Sequence, residues 1–210
     1  MSEIALYNYE LDESSYRARL LLSMLGLQWT TIAVDMFPGA EQKKPPMLAL
    51  SPLGTLPVIR DGDLLLHGTG AILLYLAKAH DPAKHWLPDN AVAFGQVSMW
   101  LFFSETALAP AIEARLQALF DVAGDEKALR ASARNAFRIM DDHMTARHFD
   151  GKEWFVGDRA TLADVALFPS FALSRDFGVD HDEYPALRRW IRRFRTLKGF
   201  HTMPGIPDYH

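Results

Sequence analysis

A proline at position 57, inside the otherwise β-like run Leu56-Pro57-Val58-Ile59, constrains this chain more than any other residue. Proline gives no donor to a ladder, so a strand that carries one is expected at a sheet edge. The backbone of Leu56 is then free to pair with an extended peptide laid beside it. Asp61-Gly62 supplies the positive φ of a two-residue hairpin turn, which predicts Leu64-Leu65-Leu66 running back antiparallel to Val58-Ile59-Arg60. A helix is predicted to open at Thr69, and its first free amides can receive an anion. A strand edge beside such a helix start suits a small peptide carrying a carboxylate. This part of the chain is read as a binding site.

The elements around it follow from periodicity. Residues 4–7 read as a short strand, and Ala18, Leu21, Leu22 and Leu25 recur at helical spacing until Gly26, a natural helix stop. Residues 29–34 read as a second strand, which makes the first forty residues a βαβ unit with a parallel pair. Residues 37–46, rich in proline, glycine and charge, are a loop with at most a short helix. The hairpin and a helix over about 69–79 complete a β-α-β, α, β-β-α order, the thioredoxin-like arrangement. Pro82 and Pro88 then break the pattern and mark residues 81–90 as a linker. Beyond it the spacing is helical. Phe94, Val97 and Leu101 mark one face, Leu129, Phe137 and Met140 a second helix, and Trp190, Ile191, Phe194 and Leu197 the last. The expected architecture is an α/β thioredoxin-like N-terminal domain at 1–80 followed by an all-α helical C-terminal domain at 91–210.

Composition narrows the chemistry. With 49% hydrophobic and 23% charged residues in 210, the chain is expected to be soluble and globular. No apolar run approaches the roughly 18–20 residues that span a bilayer, and the start lacks a basic segment followed by an apolar one. A cytoplasmic protein with no membrane partner is the expectation. A formal net charge of −4 weighs against a nucleic-acid partner. The arginines at 188, 189, 192, 193 and 195 fit the solvated face of a packed helix. There is no cysteine, which removes disulfides and any protein thiol nucleophile, so thiol chemistry here must come from a ligand. Eight histidines without an HExxH or paired-ligand spacing point to no metal site.

Four segments in order resemble the glutathione transferase family, and the resemblance covers nearly the whole chain. Ser-Pro-Leu-Gly-Thr-Leu-Pro-Val-Ile (51–59) is similar to the family's cis-proline loop, and Ala-Ile-Leu-Leu-Tyr-Leu-Ala (71–77) to the core of its third helix. Phe-Val-Gly-Asp-Arg-Ala-Thr-Leu-Ala-Asp (155–164) resembles the capping segment of its helical domain, and Tyr184-Pro185 the start of a late Trp-bearing helix. The resemblance implies glutathione as co-substrate, a hydrophobic electrophile as acceptor, a homodimer and a cis Leu56–Pro57 bond. The missing cysteine excludes the branches that form a mixed disulfide with glutathione.

In such a protein a hydroxyl near the end of the first strand or the start of the first helix donates to the glutathione thiolate. Tyr7, Tyr9, Ser14 and Ser15 are available. Ser14 is assigned as donor, with helix N-capping as its alternative role, and Tyr7 comes second, with core packing as its alternative. The family's usual serine position falls near Asp12, and two carboxylates, Asp12 and Glu13, would raise a thiol pKa there. Leu56 and Pro57 would hold the glutathione backbone. Thr69 would hold the γ-glutamyl carboxylate with its hydroxyl and helix amides. Gly68 stands where the family carries Glu or Gln, which predicts weakened glutathione binding unless an acid such as Glu105 of a second subunit compensates. A positive φ is the backbone reason for a glycine there. Among Gln42, Lys43 and Lys44, the last is assigned to the glycine carboxylate, with Thr55 beside it. Phe103, next to Trp100 and Phe102, is assigned to the acceptor pocket. Thr161 and Asp164 form a capping box of structural role. Two other functions fit the residues. One is a non-catalytic binding or regulatory protein, favoured by Asp12, Glu13 and Gly68. The other is a glutathione-dependent isomerase or dehalogenase, since residues 15–19 are similar to the isomerase branch.

Overall fold

The computed structural model describes residues 3–206, which divide into two compact units. The first takes the chain up to Pro82 together with Lys198–Met203; the second takes Ala83–Leu197 and the residues from Pro204 onward.

In the first unit the order is β1 (Ile4–Asn8), α1 (Glu13–Met24), β2 (Trp29–Ala33), α2 (Pro45–Leu48), β3 (Val58–Asp61), β4 (Leu64–His67) and α3 (Thr69–His80). The four strands form one sheet in the order β2-β1-β3-β4, with β1 and β2 parallel and both β3 pairings antiparallel. This is the expected α/β arrangement. Two local expectations are corrected. β3 is an interior strand, not an edge, and it accommodates Pro57 because the proline stands one residue before the ladder begins, where no donor is needed. The hairpin loop is Gly62-Asp63, with Asp61 already paired to Leu64. The turn requires a positive φ at its first loop position, and Gly62 supplies it at +58°. The Leu56–Pro57 peptide is cis, as is Phe37–Pro38.

α1 carries a buried Leu20-Leu21-Leu22 run and ends where expected, with the amides of Gly26 and Leu27 bonded back to Ser23 and Leu22. Tyr16 is fully buried on the same helix and donates its hydroxyl to the His201 carbonyl at 2.6 Å. That bond ties Lys198–Met203 to the first unit, although the sequence assigns all of 91–210 to the helical domain. The terminal residues of those expected ranges, 1–2 and 207–210, lie outside the described residues.

The second unit is helical, with α4 (Ala91–Thr106), α5 (Ala109–Phe120), α6 (Glu126–Phe149), α7 (Leu162–Ala172) and α8 (Pro185–Phe194). Every residue of α7 is buried. Its first turn holds Asp164, whose Oδ2 accepts from the Thr161 amide at 2.8 Å and from the Thr161 hydroxyl at 3.3 Å. Its Oδ1 accepts from the Phe155 amide at 3.2 Å and from Trp190 Nε1 at 2.9 Å. The capping box is therefore present and extended, since one carboxylate fastens α7 to α8 and to the preceding loop. Burial pushes the Asp164 pKa up to about 6 in spite of the four bonds. α8 turns Leu187, Trp190, Ile191 and Phe194 inward. Its outer arginines meet acids, Arg188 with Asp182 at 2.8 Å and Arg193 with Glu153 at 2.7 Å. On α4, Val97 and Leu101 are buried as expected, but Phe94 is exposed; burial on that face begins only with Val97. No helix among the described residues is long and apolar enough to cross a membrane.

Candidate functional site

Strand register gathers most of the expected site residues at one end of the sheet. Tyr7 on β1 lies opposite Val58 on β3, and Val58 lies opposite His67 on β4. With strands about 4.8 Å apart, the next residue of each chain segment brings Asn8, Pro57 and Gly68 to the same end. Two helices start there, α1 just after β1 and α3 directly after Gly68. Helix N-termini carry unsatisfied amides and a partial positive charge, so this end of the sheet favours anions.

Gly68 is the N-cap of α3, with φ +88° and ψ 120°, and offers no side-chain cap. Few side chains adopt that backbone, so a backbone reason for glycine exists at this position. Thr69 follows as the first helical residue, 4% exposed, and its hydroxyl makes no hydrogen bond to a described residue. Across the site, the Leu56 amide makes no backbone hydrogen bond to a described residue. An anion-receiving helix start therefore faces an unused backbone segment at the cis-proline.

The loop bearing Lys44 adjoins this segment. Lys43 Nζ donates to the Leu53 carbonyl at 3.1 Å. Lys44 itself is exposed, and its carbonyl accepts from Met47 and Leu48 at 3.0 Å each as the cap of α2. Thr55 is exposed, with its amide on Ser51 Oγ at 3.4 Å. Gln42 is the residue the sequence reading passed over. It is buried, and its Oε1 has no partner among the described residues. A buried acceptor left unpaired costs about 1–3 kcal/mol.

At the start of α1 the hydroxyls divide by role. Asp12 is the N-cap, and its Oδ2 accepts from the Ser15 amide at 2.7 Å and the Ser15 hydroxyl at 2.6 Å. Ser14 is thus the second helical residue, not the cap. It is half-buried, and its hydroxyl makes no hydrogen bond to a described residue. Tyr7 packs against the cluster of Val34, Met47, Leu56 and Val58, in keeping with its core-packing role. The two carboxylates expected to oppose a thiolate are both engaged. Asp12 holds the cap, and burial raises its pKa against the lowering effect of the Ser15 bonds. Glu13 forms a buried ion pair with Arg17 at 2.8 Å. Arg19 braces the turn before them, donating to Asn8 Oδ1, to the Tyr9 carbonyl at 3.3 Å and to the Glu10 carbonyl at 2.8 Å.

Phe103 belongs to the second unit. It is half-buried on α4, edge-on to Trp100 at 5.1 Å, and Trp100 continues the aromatic cluster to His143 and Phe155 at 4.8 Å each. Phe102 turns outward, 70% exposed. Among the described residues no group of three or more His, Asp or Glu side chains could hold a metal ion.

A four-stranded thioredoxin-like unit with this cis-proline and helix start, followed by a helical unit, defines the class. Residues 6–84 match the family model described as the glutathione S-transferase N-terminal domain, and residues 100–198 the one described as its C-terminal domain. A probable maleylacetoacetate isomerase from Vibrio cholerae is 30% identical over 207 residues, covering 95% of this chain and 94% of the relative. A glutathione S-transferase structure from Pseudomonas fluorescens superposes with a TM-score of 0.86 at 25% identity, over 97% of this chain and 100% of the other. A glutathione transferase homologue from Lodderomyces elongisporus, solved with two GSH per subunit, shares the fold with a TM-score of 0.85 at 24% identity, over 95% and 96% of the chains. This chain belongs to the glutathione S-transferase family.

Proposed function

We propose that this chain binds glutathione at the end of the sheet described above and stabilises its thiolate for attack on a hydrophobic electrophile. The observation that carries the reading is the pairing of two unused groups, the Leu56 amide beside the cis-proline and the Thr69 hydroxyl at the α3 N-terminus. Leu56 pairs with the cysteinyl backbone of glutathione, and Thr69 with the first α3 amides receives the γ-glutamyl carboxylate. Gln42, with Lys44 and Thr55 nearby in the loop, serves the glycine end. Lys44 is the cation for the glycine carboxylate, while Gln42 Oε1, an acceptor, can take only the glycine amide hydrogen.

Ser14 donates its hydroxyl hydrogen to the sulfur, aided by the positive end of α1. Each unit by which the thiol pKa falls requires about 1.4 kcal/mol favouring the anion. The thiol proton passes to solvent, the sulfur forms a bond to the electrophilic carbon, and the leaving group departs. Tyr7 is the second candidate for the donor. Phe103 belongs to the acceptor side. The working assembly is a cytoplasmic homodimer, supported by α4, where Val92, Met99 and Phe102 are 73%, 54% and 70% exposed at helical spacing.

The test is the ultraviolet thiolate absorbance of the glutathione complex as pH is raised, on the wild type, Ser14→Ala and Tyr7→Phe. Ser14→Ala should lower the ionised fraction at neutral pH and Tyr7→Phe should change it little. Loss of the signal in Tyr7→Phe with Ser14→Ala intact reverses the assignment. No thiolate below the pKa of free glutathione in any of the three supports a non-catalytic binding protein instead.

A second reading, favoured by the Vibrio cholerae relative, is a glutathione-dependent isomerase. Turnover of maleylacetoacetate with glutathione regenerated, and no conjugate of an aromatic halide, would select it.

A further inference from the structure

The first unit carries a second cavity, unrelated to the site above. It has a volume of 450 Å³ and is lined by Glu3, Ile4, Leu27, Gln28, Trp29 and Thr30, together with Gly26 and His80. Ile4 begins β1, Gly26 follows the end of α1, and His80 ends α3. The glutathione site uses the other end of all three elements. Along β1 the separation is about 13 Å, and along α3 about 16 Å.

The chemistry of the lining is one-sided. Two helix C-termini border it, each with a partial negative charge; at α1 the carbonyls of Leu21, Leu22 and Ser23 are taken by the amides of its cap. Glu3 adds a carboxylate, and neither lysine nor arginine is among the lining residues. Trp29 offers an indole, which attracts a cation placed over its face, and Ile4 and Leu27 supply apolar wall. His80 is held from behind. Asp61 Oδ2 accepts from the Tyr75 hydroxyl at 2.8 Å and meets His80 Nε2 at 2.7 Å. Asp61 is buried, and as a carboxylate it only accepts, so Nε2 carries the hydrogen and the ring is fixed in place. The acceptors at this cavity are the Glu3 carboxylate, whose Oε1 already takes the Thr30 hydroxyl at 3.2 Å, the Thr30 oxygen, the Gln28 amide oxygen and the carbonyls at the end of α3.

We propose that this cavity is a second ligand site, specific for a small primary ammonium compound with an aromatic or apolar body. Three N–H donors on the ammonium match the acceptors, and the body lies against Trp29, Ile4 and Leu27. The volume is in the range of small-molecule sites, roughly 300–1,000 Å³. The Asp61–Tyr75–His80 group has no part in the thiol chemistry; its role here is to fix the ring in place.

The probes are 2-phenylethylamine and its neutral isostere 2-phenylethanol, titrated into ¹⁵N-labelled full-length protein with and without saturating glutathione. The amine should shift the amides of residues 26–30 and of His80, at least about tenfold more tightly than the alcohol. Glu3→Gln, a surface change that leaves the core intact, should weaken the amine about tenfold and leave the alcohol unchanged. Glutathione should not displace it. Equal binding of amine and alcohol, indifference to Glu3→Gln, or shifts centred on Leu56 and Thr69 that glutathione abolishes would each overturn the proposal. Failure of glutathione itself to bind leaves this test readable, because the two sites share no residue.

Discussion

Replacing Gly68 by glutamate separates two effects that the wild-type residue combines. A Cβ built on Gly68 meets nothing within 4 Å, so space is not the obstacle. The backbone is: at φ +88° and ψ 120°, an L side chain is strained by about 1–3 kcal/mol. That strain is present with and without ligand, so it lowers stability without entering the affinity. For a chain of this size it should depress the melting temperature by about 2–4 °C per kcal/mol. The new carboxylate, at the helix start that receives the γ-glutamyl group, can pair with the ligand's ammonium. A hydrogen bond to a charged group is worth about 1.5–3 kcal/mol, which is roughly ten- to a hundredfold in Kd. Calorimetric titration with glutathione reads the gain, and a thermal melt without ligand reads the strain. Gly68→Ala is the control, with the same loss of stability and no gain in affinity. If Gly68→Ala melts like the wild type, the strain argument is wrong. If Gly68→Glu melts lower but binds no tighter, the γ-glutamyl group does not lie at Thr69.

Three further outcomes follow from buried charge. Asp164→Ala strands the Phe155 and Thr161 amides, the Thr161 hydroxyl and Trp190 Nε1, each at about 1–3 kcal/mol; denaturant melts should show a loss of at least about 4 kcal/mol, and a loss below 1 would refute the four-bond account. Glu13→Ala leaves Arg17 buried without its carboxylate, a change that costs about 3–5 kcal/mol for pairs of this kind; a midpoint unmoved in urea would show that the pair contributes nothing. His181 is buried, its Nε2 bonded to the Phe171 carbonyl at 2.9 Å, and burial lowers its pKa to about 4. The unfolded chain takes up that proton first, so His181 removes stability as pH falls from about 6.5 towards 4. Asp164, raised to about 6, acts with the opposite sign in nearly the same window, since the folded state binds its proton first. His181→Gln should therefore be more stable relative to wild type at pH 4.5 than at pH 7.5. A stability difference between the two proteins that is constant with pH would refute the assignment.

Local signals in the sequence settled what short-range physics settles. The start of α3 at Thr69, the stop of α1 near Gly26 and the Thr161–Asp164 capping box depend on residues within one helical turn of each other. The Glu13–Arg17 pair has the same i, i+4 reach and was readable, yet the two acids before Ser14 looked like free negative charge until the structure showed both engaged. Sheet order was a different matter. Whether β3 lies at an edge depends on β4 folding back over one side and β1 lying on the other, and no feature of residues 56–59 carries that information. The same holds for the burial of Gln42 and for His80, which meets Asp61 across 19 residues. Lys198–Met203 joins the first unit through a bond that spans 185 residues, from Tyr16 to the His201 carbonyl. Capping, turn formation and helical periodicity are energies between near neighbours and are written locally. Strand neighbours, desolvation of a charge and the partner of a buried polar group are energies of the assembled chain, and only the assembled chain decides them.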